Sequence, residues 1–345
     1  MKISNEQSNE KTNEILEAMK NPKTYDEKIS DIRMIQTHIS WVFLTGKFAY
    51  KIKKPVDFGF LDFSSLEKRK RMCFRELEIN RKFSPEIYLG VLPLARYKDR
   101  LKIGADGEVI EYVIKMKELP QENIMSNLLE NNKITTDILV KIVETLLKFY
   151  EKTDTYRLPN SVGSLSTVKY NWNENFRQTE NFIGKTIDQK RFDEIKAKVF
   201  DFMEKNKSIF DKRLIEGKIK WCHGDLHSGN IFVVEDKVYI FDAIEFNERF
   251  ACSDVASDLA FLAMDLDFRH KTFLSDFFIK TYIKKSGDEE IAKLLDFYKC
   301  YRAYVRGKVN SFKLNDPHLL DFEKEEAKNT AILYFQLASE YARHF

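Results

Sequence analysis

The spacing of apolar residues divides the chain near Gln121. Before this point, apolar and β-branched residues come in short runs broken by turn residues, a pattern that predicts β-strands. After it, apolar residues recur at the three- and four-residue intervals of amphipathic helices. The predicted strands are three within residues 34–54, followed by residues 90–97, 101–103 and 111–116.

Three helices are predicted with definite ends or faces. Ser64-Ser65-Leu66-Glu67 has the Ser-x-x-Glu pattern of a capping box at the start of a long helix, which ends near Phe83, before Pro85. A second helix runs over residues 291–312. The third is a core helix whose apolar face comprises Leu139, Ile142, Val143, Leu146, Phe149 and Tyr150.

The N-terminal segment differs from the rest of the chain. Residues 1–30 are polar and contain one short amphipathic stretch at 15–19. This pattern predicts a surface helix and a tail without chemical function.

The composition indicates a globular chain with nearly balanced charge. Of the 345 residues, 43% are hydrophobic, and 57 basic against 54 acidic residues give a net charge of +3. This balance argues against nucleic acid as the main partner. No apolar run approaches the roughly 20 residues of a membrane span, so no membrane partner is expected. The four cysteines form no Cys-x-x-Cys pair, and we expect reduced thiols in a cytoplasmic protein.

Residues 223–242 hold the most informative pattern in the chain. Two apolar runs, at 231–234 and 238–241, flank Glu235-Asp236-Lys237, which predicts a β-hairpin with a three-residue loop. In that register Asn230 faces Asp242. Amide and carboxylate oxygens are the ligands that Mg²⁺ prefers in proteins. The sequence therefore predicts a magnesium site formed by Asn230 and Asp242.

The loop before this hairpin has the spacing of a phosphoryl-transfer site. His223-Gly224-Asp225 is followed, after four residues, by Asn230. In such a loop Asp225 accepts the proton of the attacking hydroxyl, while Asn230 and Asp242 hold metal on the nucleotide phosphates. A chance structural hairpin is the alternative. No third ligand fits near His223 and His227, which argues against a zinc site formed by these two histidines.

These motifs resemble a known superfamily. HGDLHSGN and FDAIE resemble the catalytic core of aminoglycoside phosphotransferase and choline-kinase-like enzymes. THISWVFLTGKFAYKIKKPVDFGFLDFS and FDAIEFNERFACSDVASDLAFLAMDLD are similar to an uncharacterised bacterial branch of that superfamily, and the resemblance covers about residues 30–310. Some members of the branch carry an additional P-loop kinase domain. The sequence contains no GxxxxGK[ST] motif, so a stand-alone phosphotransferase-like unit is expected.

The resemblance implies an α+β, two-lobed protein-kinase-like fold. A small lobe of antiparallel sheet with one long helix is expected at 31–118, after the extension at 1–30. A larger, mainly helical lobe that binds the acceptor and carries the catalytic loop is expected at 119–345.

The resemblance also assigns residues to the nucleotide site. Lys51 occupies the position of the third-strand lysine that binds nucleotide phosphates, with Lys53 on the same strand face as its competitor. Glu76 occupies the position of the glutamate that pairs with this lysine, with Glu78 nearby on the same helix. The remaining implied contacts are the hydroxyls of Thr37 and Ser40 near the phosphates, and the backbone around Glu118 and Leu119 at the adenine edge.

Three residues around the catalytic loop receive supporting roles from the resemblance. Asp258 is expected to hold the loop by bonding its backbone, and His223 is expected to support it. Glu245 is a second acidic side chain near the metals.

The function implied is a kinase for a small molecule. The chain is expected to use Mg²⁺ and ATP or GTP to phosphorylate a hydroxyl of an unidentified small-molecule acceptor. Two alternatives stay open, a protein-directed kinase and a non-catalytic nucleotide-binding regulator of the same fold. A regulator usually loses the catalytic aspartate or a metal ligand, and Asp225, Asn230 and Asp242 are all present.

A basic stripe bears on the identity of the acceptor. Lys299, Arg302 and Arg306 recur at i, i+3 and i+7 on one face of the helix at 291–312. A solvated face is the usual interpretation. If the stripe instead lines the acceptor cleft, the acceptor is anionic, because arginine pairs with carboxylate and phosphate in bidentate fashion.

Overall fold

The computed structural model describes residues 2–158, 161–317 and 319–345, with side chains from Glu10 onward. The chain forms two compact units. The first comprises Met1–Asn123 and Tyr239–Asn247, and the second comprises Ile124–Val238 and Glu248–Phe345. We call them the sheet unit and the helical unit.

The sheet unit contains a six-stranded sheet whose neighbouring strands are all antiparallel. The strand order is β1-β2-β3-β6-β4-β5, and the strands predicted from the sequence are confirmed. The elements are α1 (Lys2–Met19), β1 (Arg33–Gln36), β2 (Ser40–Leu44), β3 (Phe48–Lys53), α2 (Leu66–Phe83), β4 (Tyr88–Tyr97), β5 (Arg100–Ile103) and β6 (Glu108–Lys117).

The N-terminal helix α1 is part of the core of the sheet unit. Ile15 and Met19 are buried in one cluster with Trp41, Phe43 and other sheet residues. The stretch predicted to be a surface helix therefore covers one face of the sheet, and the prediction of a surface position was wrong. The sequence of so short an apolar stripe does not show which other element will pack against it.

Helix α2 packs on β4 and β6. Its cap differs from the predicted capping box, since the helix begins at Leu66 and Ser65 is the N-cap, its hydroxyl accepting a hydrogen bond from the Lys68 amide. The residue three positions after Ser65 is a lysine, so no reciprocal Glu bond can form. The Ser64 hydroxyl instead bonds the Asp62 carboxylate.

The helical unit contains short strands and mainly helices that pack on one another, and the core helix and the helix at Ile291–Phe312 are confirmed. Strands β11, β8 and β7 form a three-stranded sheet, and β9 and β10 form a hairpin. The elements after residue 124 are α3 (Met125–Glu130), α4 (Thr136–Lys152), β7 (Thr155–Tyr156), α5 (Leu165–Thr179), α6 (Gln189–Lys205), α7 (Lys207–Ile215), β8 (Ile219–Trp221), β9 (Ile231–Val234), β10 (Lys237–Ile240), α8 (Glu248–Ala251), β11 (Cys252–Asp254), α9 (Val255–Phe268), α10 (Thr272–Ser286), α11 (Ile291–Phe312) and α12 (Asp321–Tyr341). The last two residues of β10 belong to the segment assigned to the sheet unit.

The hairpin loop between β9 and β10 has two residues, so the predicted three-residue loop was wrong. Glu235 and Asp236 both have positive φ, at 49° and 62°. This is the backbone of the tight turns that suit the right-handed twist of paired strands. Because the loop is one residue shorter than predicted, a direct pairing of Asn230 with Asp242 no longer follows from the register.

The described residues include no helix long and apolar enough to cross a membrane. All four cysteines, Cys73, Cys222, Cys252 and Cys300, are buried, and none of them forms a disulfide bond.

Candidate active site

Five charged side chains of alternating sign form a continuous ladder in the sheet unit: Asp242, Lys51, Glu76, Lys53 and Glu245. Lys51 Nζ lies 2.8 Å from Glu76 Oε1 and also contacts Asp242. Lys53 Nζ lies 2.6 Å from Glu76 Oε2 and also contacts Glu245. Four of the five side chains are buried, whereas that of Asp242 is 42% exposed. We call this chain of contacts the charge ladder.

The sequence explains how the charge ladder forms. Residues 51 and 53 lie on the same face of β3 because side chains alternate along a strand. Helix α2 covers this face and places Glu76 between the two lysines. The predicted partnership of Lys51 with Glu76 is therefore present, and Lys53, its competitor, shares the same glutamate.

Burial and ion pairing shift the pKa values of these groups in opposite directions. Burial alone lowers the pKa of Lys51, but the carboxylates of Asp242 and Glu76 outweigh it, so the pKa of Lys51 is raised. Burial alone raises the pKa of Glu76, but the two lysines outweigh it and lower this pKa to about 2. All three groups of the Lys51–Glu76–Lys53 segment are therefore charged at neutral pH.

Glu245 belongs to this ladder and is not free. Its carboxylate is buried and contacts Lys53, while burial raises its pKa. A carboxylate in this position neutralises the second lysine. Its expected place near the metals stays a prediction.

The backbone at 240–243, which carries Asp242, is held by three polar side chains that the sequence analysis did not single out. Asp242 itself has φ of 64°, a left-handed conformation that is uncommon outside glycine and is maintained only by its surroundings. Asn80 lies one turn after Glu76 on α2, and both side chains are buried. The sequence itself shows only that two polar residues stand four positions apart. The bonds run from Ser84 Oγ to the Ile240 carbonyl at 2.8 Å, from the Asp242 amide to Tyr88 Oη at 3.1 Å, and from the Ala243 amide to Asn80 Oδ1 at 2.9 Å.

The remaining residues predicted for the nucleotide site already have protein partners. Ser40 Oγ is buried and lies 2.8 Å from Thr37 Oγ1. The Glu118 carboxylate accepts a hydrogen bond from the Gly46 amide at 2.7 Å. Leu119 is buried, and its carbonyl accepts a bond from Gln121. Nucleotide binding by Ser40, Glu118 and Leu119 stays a prediction.

In the helical unit, α9 holds the loop at 223–230 through two carboxylates. Asp258 accepts hydrogen bonds from the amides of His223, at 2.8 Å, and Gly224, at 2.9 Å. Asp265, seven residues later on the same helix face, accepts one from the Ser228 amide at 2.9 Å. The predicted role of Asp258 is confirmed. Asp265 adds a second attachment that the sequence analysis missed.

Asp225 is an ionised, half-open side chain on this loop, 39% exposed. Asn230 Nδ2 donates to its carbonyl at 3.0 Å and to its Oδ2 at 3.2 Å, and His227 Nε2 lies 3.5 Å from the same oxygen. Burial raises the pKa of Asp225, but His227 and then Arg306 outweigh it, so this pKa is held below its usual range. His223 supports the loop as expected, since its Nδ1 accepts a bond from the Asp225 amide.

The basic stripe on α11 is not a solvated face. Lys299 is buried and pairs with Asp267 at 2.8 Å. Arg302 is buried and donates to backbone carbonyls, including that of Gly224 at 2.8 Å. These two cations therefore stabilise the fold around the loop, and the usual interpretation of such a stripe was wrong here.

No protein-family model matches the chain. Uncharacterised proteins of Mycobacterium tuberculosis and Mycobacterium bovis are 31% identical to it over 319 residues, which make up 92% of this chain. The chain spans only 61% of the length of these relatives.

Solved structures are similar over nearly the whole chain. A choline kinase from Cryptosporidium parvum has a TM-score of 0.55 at 12% identity, covering 90% of this chain and 89% of the other. The GDP complex of aminoglycoside 2'-phosphotransferase-IIIa has a TM-score of 0.55 at 10% identity, covering 93% and 95%. The chain therefore shares its α+β, kinase-like fold with this choline kinase and this aminoglycoside phosphotransferase, and the fold class implied by the sequence motifs is confirmed.

Proposed function

We propose that the chain transfers the γ-phosphoryl group of ATP or GTP to a hydroxyl of a small molecule. The observation that carries the proposal is Asp225, an ionised carboxylate on a loop whose backbone is fixed by Asp258 and Asp265. A fixed, partly open carboxylate is what a catalytic base of this type requires. The small-molecule acceptor is supported by the fold shared with a choline kinase and an aminoglycoside phosphotransferase.

In this reaction the acceptor oxygen forms a bond to the γ-phosphorus while the bond from that phosphorus to the β-phosphate oxygen breaks. Asp225 takes the hydroxyl proton, and the products are a phosphate monoester and a nucleoside diphosphate. Because most of the barrier is removed by positioning and electrostatics, few residues need a specific identity.

The charge ladder suits a phosphate anchor. Lys51 is kept charged by its carboxylate neighbours and stands at the partly exposed end of the ladder, next to Asp242. Lys53 lies farther inside, between Glu76 and Glu245. We therefore assign nucleotide phosphate binding to Lys51 and orientation of Lys51 to Glu76.

Asn230 and Asp242 suit Mg²⁺ bound mainly through nucleotide phosphates. In the described part of the chain, His, Cys, Asp and Glu side chains form no group of three that could hold a metal alone. Asp242 has a partly exposed carboxylate. Asn230 donates a hydrogen bond to Asp225 through its amide nitrogen, which leaves its amide oxygen available as a metal ligand. Mg²⁺ commonly takes one or two protein oxygens together with phosphates and water. When bound, it would neutralise charge on the transferring phosphate.

The proposal is tested by incubating the purified chain with Mg²⁺, ATP or GTP and a library of hydroxyl-bearing metabolites. Release of nucleoside diphosphate, and a product whose mass has increased by one phosphoryl group, are the expected results. Transfer to a protein hydroxyl and not to any metabolite would favour the protein-directed alternative. Nucleotide binding without transfer to either would favour the regulator.

Asp242→Ala should abolish the Mg²⁺-dependent part of thermal stabilisation by nucleotide. At Mg²⁺-nucleotide concentrations 100-fold above Kd, the wild type should gain about 2.7 kcal/mol in total, and the variant should gain no more with Mg²⁺ than without it. Thermal unfolding with and without Mg²⁺ measures the difference, and Asp276→Ala, at an exposed aspartate on α10, is the matched control. Equal stabilisation of the Asp242 variant and the wild type would remove Asp242 from the metal site.

Lys51→Ala should weaken nucleotide binding much more than Lys53→Ala. Each change leaves Glu76 with one remaining lysine, but Lys53→Ala also leaves the buried Glu245 carboxylate unpaired, so Lys53→Ala should lose more stability than Lys51→Ala. Only Lys51 is expected to contact phosphate, and a hydrogen bond to a charged group contributes about 1.5–3 kcal/mol, or roughly 10- to 100-fold in Kd. Titration calorimetry measures the nucleotide Kd of the two variants and of the wild type. A larger loss for Lys53→Ala would mean that the second lysine is the phosphate ligand.

A further inference from the structure

Arg302 connects the loop at 223–230 to helix α9. It lies on α11, is buried, and donates two hydrogen bonds from two different nitrogens. Its Nε bonds the Ser257 carbonyl of α9 at 3.0 Å, and its Nη1 bonds the Gly224 carbonyl of the loop at 2.8 Å. Because the guanidinium is planar and rigid, it fixes these two carbonyls relative to each other.

The Gly224 carbonyl belongs to the peptide group that immediately precedes the proposed base. This carbonyl and the Asp225 amide lie in one peptide plane. The amide side of the plane is held by His223 Nδ1, which accepts a bond from the Asp225 amide at 3.3 Å. Arg302 holds the carbonyl side. The plane is joined directly to the Cα of Asp225, so its orientation determines where the Asp225 side chain points.

Both polar groups of the Gly224 backbone are attached to the same turn of α9. The Gly224 amide donates to Asp258 Oδ1 at 2.9 Å. The Gly224 carbonyl is linked, through Arg302, to Ser257, the residue before Asp258. Gly224 has φ of 82°, a conformation that residues with a Cβ rarely adopt. Asp258 and Arg302 together therefore maintain an uncommon backbone conformation next to the proposed base.

Aromatic rings restrict the guanidinium itself. Its Cζ atom lies 4.8 Å from the Phe261 ring centre and 5.6 Å from the Tyr301 ring centre, distances typical of cation–π contacts. Phe261 follows Ser257 by one turn on α9, and its ring centre lies 5.5 Å from that of His227 in the loop. The same ring thus contacts both Arg302 and the loop, which keeps the guanidinium in the position from which it binds the loop backbone.

Stability alone is a weak explanation for an arginine at this position. Removing a charged group from water is costly, and well-packed hydrophobic residues often replace buried charged groups without loss of stability. A hydrophobic side chain, however, supplies no N–H donors, whereas a guanidinium supplies several at fixed angles. The feature that only an arginine provides here is the bridge between the two carbonyls.

We propose that Arg302 is a positioning residue for phosphoryl transfer, which fixes the direction of the Asp225 side chain by binding the Gly224 carbonyl. This inference rests on the proposed function and adds to it a residue that acts through the loop and not on the reactants. A reacting group displaced by about 1 Å loses roughly 100-fold in rate. Arg302 therefore acts on turnover and not on binding.

Arg302→Met is expected to lower kcat about 10- to 100-fold, while the KM values for nucleotide and acceptor stay close to those of the wild type. The rate falls because both reactants still bind and only the proton acceptor is misplaced. Arg302→Lys keeps one donor nitrogen in place of two, so its loss of kcat should be smaller. Steady-state kinetics with the acceptor found in the metabolite library measure these values, and thermal unfolding verifies the fold.

Hydrogen exchange provides a measurement that does not require activity. Mass spectrometry of peptides that include residues 223–225 should show amide exchange about tenfold faster in Arg302→Met, the equivalent of one hydrogen bond. Lys308→Met is the matched control, because Lys308 lies six residues later on α11 and also donates two bonds to oxygen atoms, at 2.7 Å to Asn175 and at 2.8 Å to Gln178. This control should change neither kcat nor exchange at the loop.

Wild-type kcat in a folded Arg302→Met protein, or unchanged exchange at 223–225, would overturn the inference, as would an equal loss of kcat in Lys308→Met. If Arg302→Met does not fold, Arg302→Lys decides through the same two measurements. An active chain whose loop exchange does not depend on Arg302 would overturn the inference and leave the phosphotransferase intact. Faster loop exchange in a chain that transfers phosphate to no acceptor would support the attachment by Arg302 and contradict the proposed function.

Discussion

Asp225→Asn is expected to fold and to bind nucleotide like the wild type, yet to phosphorylate the acceptor ~10²–10⁴-fold more slowly. An asparagine side chain keeps an oxygen that can accept the bond from Asn230 Nδ2, and the loop backbone stays attached to Asp258 and Asp265. What the variant loses is the negative charge that takes the hydroxyl proton. Single-turnover rates with the identified acceptor measure the loss, and thermal unfolding verifies the fold.

The pH dependence of the wild type provides a second measurement for the same prediction. Because the pKa of Asp225 is held below its usual range of about 4, the carboxylate is already ionised in weakly acidic solution. Protonation of the base should therefore not reduce turnover on going from pH 7 to pH 5. Near-full activity of a folded Asp225→Asn protein would refute the mechanism. If the variant fails to fold, Asp225 has a structural role and the base must be sought elsewhere.

Glu76→Gln is expected to be the most destabilising single change in the sheet unit. It leaves Lys51 and Lys53 buried next to a neutral amide, and removal of one partner from a buried ion pair typically costs about 3–5 kcal/mol. Glu78→Gln, two residues away on the same helix and exposed, should change stability by less than about 0.5 kcal/mol. Denaturant unfolding of the two variants makes the comparison.

The sign of the pH effect follows from the lowered pKa of Glu76. A carboxyl whose pKa is about 2 in the folded chain and 4.5 when unfolded contributes stability that is complete above pH 4.5. This contribution, about 3 kcal/mol, is lost as the pH falls from 4.5 towards 2. Glu76→Gln should remove that part of the acid sensitivity. An equally acid-sensitive variant, or one as stable as the wild type, would show that the charge ladder is not the source of stability.

The sequence predicted those parts of the site that depend on local pattern. Alternation along β3 is sufficient to place Lys51 and Lys53 on one face, and the apolar spacing of α4 identifies its buried side. Recognition of the HGDLHSGN motif led to the contacts of Asp258 with the loop backbone. Each of these inferences needs only the period of one element or the spacing of one motif.

What the sequence left open depends on residues far apart in the chain. The stripe at Lys299 and Arg302 resembles a solvated face on a helical wheel, because Asp267 and the loop at 223–230, which pair with it, come from other elements. The sharing of Glu76 by two lysines likewise needs Glu245, nearly 200 residues from Lys53. The hairpin loop was assigned three residues because Glu235-Asp236-Lys237 is the polar break between the two apolar runs. Neither Glu235 nor Asp236 is the glycine or asparagine that usually marks a two-residue turn.

The charge ladder carries a net charge because it contains an odd number of charged groups of alternating sign. Two ammonium groups alternate with three carboxylates, so the sum is one negative charge, and a carboxylate stands at each end. Glu245, at one end, is buried against Lys53, whereas Asp242, at the other, is partly open to water. The net negative charge of the ladder is therefore accessible at Asp242, where a cation can neutralise it without being buried.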